Sequence, residues 1–295
     1  MAEVFRTPDE RFDGLPGYDF APNWFEADGL RLHYVDDGSG DPVVCFHGEP
    51  TWAYLYRKML PPLRDAGHRV ICPDYAGFGR SDKPTDRSWY SYERHVELMR
   101  ELVEGLDLRD ATVVLHDWGG PIGLRLAVEH PDRIARMVIL DTGLFTGRQR
   151  MSDAWFAFRD FVERTEDLPV AMLIRRACKT DPGDDVAAAY DAPFPEPRAK
   201  AGARAFPLMM PLKPEDPGGD AGQRVLEALA QDGRPMLFLW ADSDPILTPE
   251  VGRRFAQRLG RDEPELIPEA SHFLQEDQGD RVGRRIAEWL GSAAA

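Results

Sequence analysis

"VVLHDWGGPIGLRLAVEH", residues 113–130, is the stretch whose reading decides the fold. An apolar, β-branched run leads into a glycine-rich turn, and the residues after the turn have helical character. Strand, tight turn and helix in that order make a nucleophile elbow, a sharp bend that lifts one reactive side chain above the edge of a sheet. The usual frame is Gly-x-Ser-x-Gly. Here it runs through His116-Asp117-Trp118-Gly119-Gly120, so the reactive seat holds an aspartate followed directly by a tryptophan. A serine must lose a proton before it attacks, and it suits acyl carbons. A carboxylate is ionised at neutral pH and can displace a leaving group from saturated carbon, giving an alkyl ester that water then hydrolyses.

Outward from the elbow, strands and helices alternate. "NWFEADGLRLHYVDDG" (23–38) alternates around Asp28-Gly29, a hairpin signal. "PVVCFHG" (42–48), "RVICPD" (69–74), "ATVVLHD" (111–117) and "RIARMVILD" (133–141) read as short buried parallel strands. Helical segments, "YLYRKMLPPLRDAG" (54–67) and "YSYERHVELMRELVEGLDL" (90–108), lie between them. From about 146 to 222 the strands stop and helix-like pieces punctuated by proline and glycine take over. The alternation resumes with "RPMLFLWAD" (234–242), a helix at 248–260, a short strand in "PELIPEA" (264–270) and a final helix at 280–291. The pattern predicts an α/β fold: a mostly parallel twisted sheet flanked by helices, built from residues 1–145 and 223–295, with a helical cap inserted at 146–222.

The composition bounds the partners. Of 295 residues 43% are hydrophobic, enough for a full core, and the formal charge of −15 argues against nucleic acid or an anionic membrane. Cys45, Cys72 and Cys178 form neither a metal-ligand spacing nor a disulfide framework, and the first two sit in apolar strands as small core residues. "MAEVFRTPDERFDG" lacks an apolar signal core, and no stretch approaches membrane-spanning length. The expectation is a cytoplasmic protein, a monomer or weak homo-oligomer, without metal or cofactor.

Sheets of this kind place reactive groups at the carboxyl ends of their strands. Asp117 closes one strand; His47-Gly48-Glu49-Pro50 closes another; Asp242 and Asp244 follow "MLFLW"; His272 follows the last strand. Acids and histidines occur in the loops of any α/β protein, but four strand ends together with a formed elbow are a much rarer coincidence. The order Asp117, acid, His272 is that of nucleophile, acid and base. Asp244 is the expected acid, with Asp141 and Asp242 as alternatives. Backbone N–H groups of Trp118 and Glu49 stand where an oxyanion needs donors. His116 is expected to pack at the elbow and point away from the site, and His33, His68, His95 and His130 to lie at the surface or at helix ends.

The segments "HGEPTWAYLYRKM", "GFGRSDKP", "HDWGG", "DTGLFTG", "YDAPFP" and "ASHFLQED" resemble the haloalkane dehalogenases of the α/β-hydrolase superfamily, in particular the subfamily with glutamate after His-Gly. The resemblance runs from about residue 20 to the C-terminus. It implies a small halogenated alkane, water and a halide ion as the molecules handled, Asp117 as nucleophile and His272 as the base that activates water. It also implies that the Glu49 side chain helps hold that water, and that a second tryptophan from the start of the cap joins Trp118 in binding halide. Indole N–H groups suit this task because they donate without accepting. Trp155 is the candidate, although Phe158, one helical turn later, competes for the position. Some branches of the family draw their acid from the strand that ends here at Asp141.

Epoxide hydrolases share the aspartate and a similar elbow, but that family protonates the epoxide oxygen with two cap tyrosines, and this cap holds only Tyr190. Tyr190 is therefore expected to be structural. A ligand sensor that keeps the same residues without turnover is a third, more distant reading.

Overall fold

The computed structural model describes residues 3–293. Asp28 and Gly29 both take positive φ, 48° and 74°, as a two-residue hairpin turn requires. They join β1 (Asn23–Ala27) to β2 (Leu30–Gly38) with Ala27 opposite Leu30. Six further strands complete the sheet: β3 (Pro42–Phe46), β4 (Arg69–Pro73), β5 (Ala111–His116), β6 (Ile134–Leu140), β7 (Met236–Ala241) and β8 (Glu265–Ile267). Their spatial order is β1-β2-β4-β3-β5-β6-β7-β8, antiparallel only where β1 meets β2 and β2 meets β4. The central strands are covered on both faces, which is why every residue of β5 is buried and the sequence there is apolar without alternation.

Helices α1 (Leu60–Asp65), α2 (Tyr92–Gly105), α3 (Gly119–Glu129), α9 (Pro249–Arg258) and α10 (Leu274–Ala293) flank the sheet, with α1 against α10 and α2 against α3. Between β6 and β7 the chain is helical: α4 (Asp153–Arg164), α5 (Val170–Ala177), α6 (Asp184–Asp191), α7 (Ala201–Met209) and α8 (Gly219–Leu229). Helix α8 packs on α3 beside the sheet, so the junction expected between 222 and 223 falls inside a helix. The N-terminal segment crosses to this insertion, with Thr7 Oγ1 donating to Pro193 O at 2.7 Å and Arg11 Nε to Ala192 O at 2.7 Å.

Two histidines expected at the surface are buried. His33 is enclosed on β2 and its Nδ1 lies 2.7 Å from Asp74 Oδ2, a partner in the loop after β4. His95 falls on the buried stripe of α2 formed by Tyr92, Val96, Met99 and Leu102, the helical spacing that a lone polar residue can occupy unnoticed. Its ring is caged by Tyr75, Tyr90 and Phe206, and burial lowers it to about 3. The cysteines are free and buried.

Candidate active site

The elbow is strained at Asp117. Asp117 takes φ 47°, an uncommon conformation for a residue with a side chain, between the end of β5 and the start of α3. Two glycines make room for it. A side chain at Gly119 would collide with the carbonyl of Phe46, and one at Gly48 would collide with the Asp117 carboxylate. The missing Cβ at Gly48 lets the loop after β3 close on Asp117, and Glu49 N–H donates to Asp117 Oδ1 at 2.8 Å. His47 holds this loop from behind: Tyr75 N–H donates to its Nε2 at 3.1 Å, so its Nδ1 carries the proton given to Gly48 O at 2.9 Å. Burial lowers His47 to about 4, which keeps that neutral tautomer.

The other side of Asp117 faces His272, whose Nε2 is 3.9 Å from Asp117 Oδ2. His272 Nδ1 lies 2.7 Å from Asp244 Oδ2, and Asp244 Oδ1 accepts the N–H groups of Ile246 and Leu247 at 2.8 and 2.9 Å. Asp244 is thereby fixed on two sides and nearly sealed from solvent. The alternatives are otherwise engaged. Asp141 receives the Ala241 N–H at 3.0 Å, and Asp242 is exposed and accepts from Ser243 Oγ and the Glu269 N–H.

The electrostatics follow from this packing. Burial pulls the His272 imidazole down, but the Asp244 charge and hydrogen bond, then Asp117 and Asp141, outweigh it and raise it from 6.5 to about 9. Asp244 is held below its ordinary value, since His272 and the two backbone N–H groups overcome the cost of burial. Burial lifts Asp117 above the ordinary carboxylate value, against the pull of His272 and of the Trp118 and Glu49 N–H groups. Burial and the nearby Asp117 charge push Glu49 well above its usual range, and its Oε1 has no hydrogen-bond partner among the described residues.

Trp118 is almost fully buried, with its ring edge-on to Phe145 at 5.0 Å and to Phe206 of α7 at 5.1 Å. Trp155 is buried on α4, which packs against α7 and starts at a Ser152 cap whose Oγ accepts the Trp155 backbone N–H. Phe158 is half-buried on the same helix, and Phe156 points outward. Tyr190 is fully buried, and its hydroxyl donates to Glu276 Oε2 at 2.8 Å. Glu276 also pairs with Arg57, at 2.6 and 2.7 Å, and with Lys58 Nζ at 2.6 Å. The sequence reading missed this network, whose partners lie as many as 219 positions apart. It also missed what His116 does: its Nε2 is 2.7 Å from the backbone carbonyl of His272.

A parallel sheet with a carboxylate on its elbow defines a class, and residues 41–278 match the family described as the alpha/beta hydrolase fold. The haloalkane dehalogenase of Mycolicibacterium paratuberculosis is 42% identical over 294 residues, covering 97% of this chain and 98% of that protein. That of Psychrobacter cryohalolentis is 41% identical over 300 residues, covering 98% of each. Among solved structures, the tetrameric haloalkane dehalogenase DpaA of Paraglaciecola agarilytica NO2 superposes with a TM-score of 0.89 at 36% identity, covering 97% of both chains. The chain belongs to the haloalkane dehalogenases, hydrolases that act on carbon–halogen bonds. No helix among the described residues is long and apolar enough to cross a membrane.

Proposed function

We propose that the chain hydrolyses small haloalkanes to alcohol, halide and a proton through a covalent ester on Asp117. One observation carries the reading: one carboxylate oxygen of Asp117 rests on the Glu49 N–H, while the other faces the His272–Asp244 pair. Asp117 Oδ2 attacks the substrate carbon from behind, the C–O bond forms as the carbon–halogen bond breaks, and halide departs. Trp118 donates its indole N–H to that halide, joined by Trp155 from the inserted helices, which act as the cap. Asp117 Oδ1 becomes the ester carbonyl oxygen and remains at the Glu49 N–H, with the Trp118 N–H also acting on this carboxyl, where the second step develops negative charge.

Water then attacks the carboxyl carbon of the ester. His272 Nε2 takes one proton and returns it to the departing alcohol oxygen. The water's second proton, left on the new Asp117 carboxyl, is released to solvent, which restores the carboxylate and supplies the product proton. Esterification itself prepares the base. It removes the negative charge 3.9 Å from Nε2, and with it part of what holds the imidazole at about 9, so that Nε2 is released to accept a proton. Asp244 fixes the tautomer and stabilises the imidazolium. Glu49 Oε1, buried beside Asp117 with no partner among the described residues, is suited to hold the water.

Epoxide opening is the weaker reading, because Tyr190 spends its hydroxyl proton on Glu276. The test is release of bromide and protons from short bromoalkanes, with epoxides in parallel. Many turnovers, abolished by Asp117→Asn, are expected; epoxide opening without bromide release would overturn the proposal. The tetrameric state of DpaA does not fit well with a monomer or weak homo-oligomer, and sedimentation equilibrium measures which holds for this chain.

A further inference from the structure

The residue before the nucleophile is joined to the base. His116 ends β5, is fully buried, and places its Nε2 2.7 Å from the His272 carbonyl oxygen. A carbonyl can only accept, so Nε2 carries the proton and Nδ1 carries the lone pair. That Nδ1 is buried with no partner among the described residues, so this ring makes one hydrogen bond and leaves its other nitrogen unsatisfied. Such an arrangement costs stability. An apolar residue of similar size would fill the same space without that cost. The two imidazoles also touch, with ring centroids 4.9 Å apart, and Phe273 packs against both.

Residues 116 and 272 are 156 positions apart, and the acceptor is the backbone carbonyl of His272, so this bond ties the end of the strand before Asp117 to the loop that carries His272. We infer that His116 is a positioning residue for ester hydrolysis: its Nε2–H clamps the backbone of His272 and so fixes where the imidazole Nε2 stands over the Asp117 carboxyl. The inference rests on the proposed covalent route. The two chemical steps differ in their need for the clamp. Attack on the substrate uses Asp117, which is seated by Glu49 N–H and its own elbow, and does not require His272 to move a proton. Hydrolysis needs water, Nε2 and the ester carbon in line, and loses rate steeply when the base is misplaced.

The experiment compares His116→Leu, His116→Gln and His116→Asn in single-turnover mixing with a short bromoalkane, using acid quench and intact mass to follow the alkylated chain. Glutamine can reach the His272 carbonyl with an N–H; asparagine is one methylene too short, and leucine has no donor. The leucine and asparagine variants are expected to form the adduct at close to the parent rate, then to lose it about tenfold more slowly, so that alkylated protein accumulates and KM falls with kcat. Glutamine is expected to restore hydrolysis. If leucine does not fold, the asparagine–glutamine pair makes the same comparison. Equal slowing of both steps, or hydrolysis unchanged without the donor, would overturn the clamp. Bromide release with no mass adduct in any form, including the parent with His272→Phe, would instead overturn the covalent reading beneath it.

Discussion

Replacing Asp244 with asparagine isolates the electrostatic half of the proposed mechanism. The carboxylate bonds His272 Nδ1 at 2.7 Å and is itself held by the N–H groups of Ile246 and Leu247. The rise of the imidazole from 6.5 to about 9, in spite of burial, is worth about 3 kcal/mol at about 1.4 kcal/mol for each tenfold. Asp244 is the foremost of the raising causes, and unlike Asp117 it keeps its charge after the ester forms. The amide would still accept the two backbone N–H groups, so the loop should survive. Its NH2 would then face Nδ1 and donate to it, which forces the proton onto Nε2 and removes the acceptor that water needs. Ester hydrolysis should slow by about a hundredfold to a thousandfold, the rate equivalent of about 3–4 kcal/mol. Alkylation should change by less than about tenfold, because the attacking oxygen keeps its charge. Rapid mixing with a bromoalkane and mass detection of the adduct reads both steps. Adduct that vanishes at the parent rate, or an equal loss in both steps, would refute the division of labour between Asp117 and His272–Asp244.

Further outcomes follow from the same geometry. Tyr190→Phe removes only a hydroxyl that serves Glu276, so bromide turnover should stay within about threefold of the parent while stability falls by about 1 kcal/mol, read by urea unfolding. Glu276→Gln strands the nearly sealed Arg57 guanidinium without its counter-charge and should cost about 3–5 kcal/mol; a loss below 1 kcal/mol on the same urea scale would show that water rescues Arg57. Trp118→Phe deletes an indole donor and should weaken product inhibition by bromide about tenfold, while Trp155→Phe tests whether the insertion supplies the second donor. The raised imidazole of His272 contributes stability in full below pH 6.5, and this fades as pH rises through about 9. The stability gap between the parent chain and His272→Gln should therefore narrow across that window, and a gap that widens would contradict the charge pairing.

Local signals made the sheet legible. The strand ends are marked by apolar runs that stop at Gly, Asp or His, and the Asp28-Gly29 turn announces its hairpin, so the edge that gathers Asp117, Glu49, Asp244 and His272 could be read before any contact was known. Choosing among Asp244, Asp141 and Asp242 needed distances, because all three close strands and only orientation separates them. His33 and His95 were misread for a related reason: a polar residue on an inward face keeps the helix or strand period intact and gives no sign of its burial. The Arg57–Glu276–Tyr190 network joins three distant segments, and no short motif marks such a union. Along the insertion, proline and glycine do not reliably mark helix ends, since Gly202 and Pro207 lie inside α7, and local sequence gives no sign of which face of α4 turns inward; Trp155 is buried there and Phe158 half-buried.

The Tyr190–Glu276 bond has a consequence for how this chemistry can change over time. A nucleophilic aspartate serves two kinds of electrophile, and an enzyme could in principle drift from one to the other by recruiting a phenol as acid. Here the tyrosine of the insertion is already committed: its phenol is bonded to a buried cation–anion pair that also supports the start of α10. Freeing it would loosen that support before any new activity appeared, so an evolving lineage would meet a loss of folded protein first. A laboratory redesign should leave Tyr190 in place and introduce its acids elsewhere on the insertion.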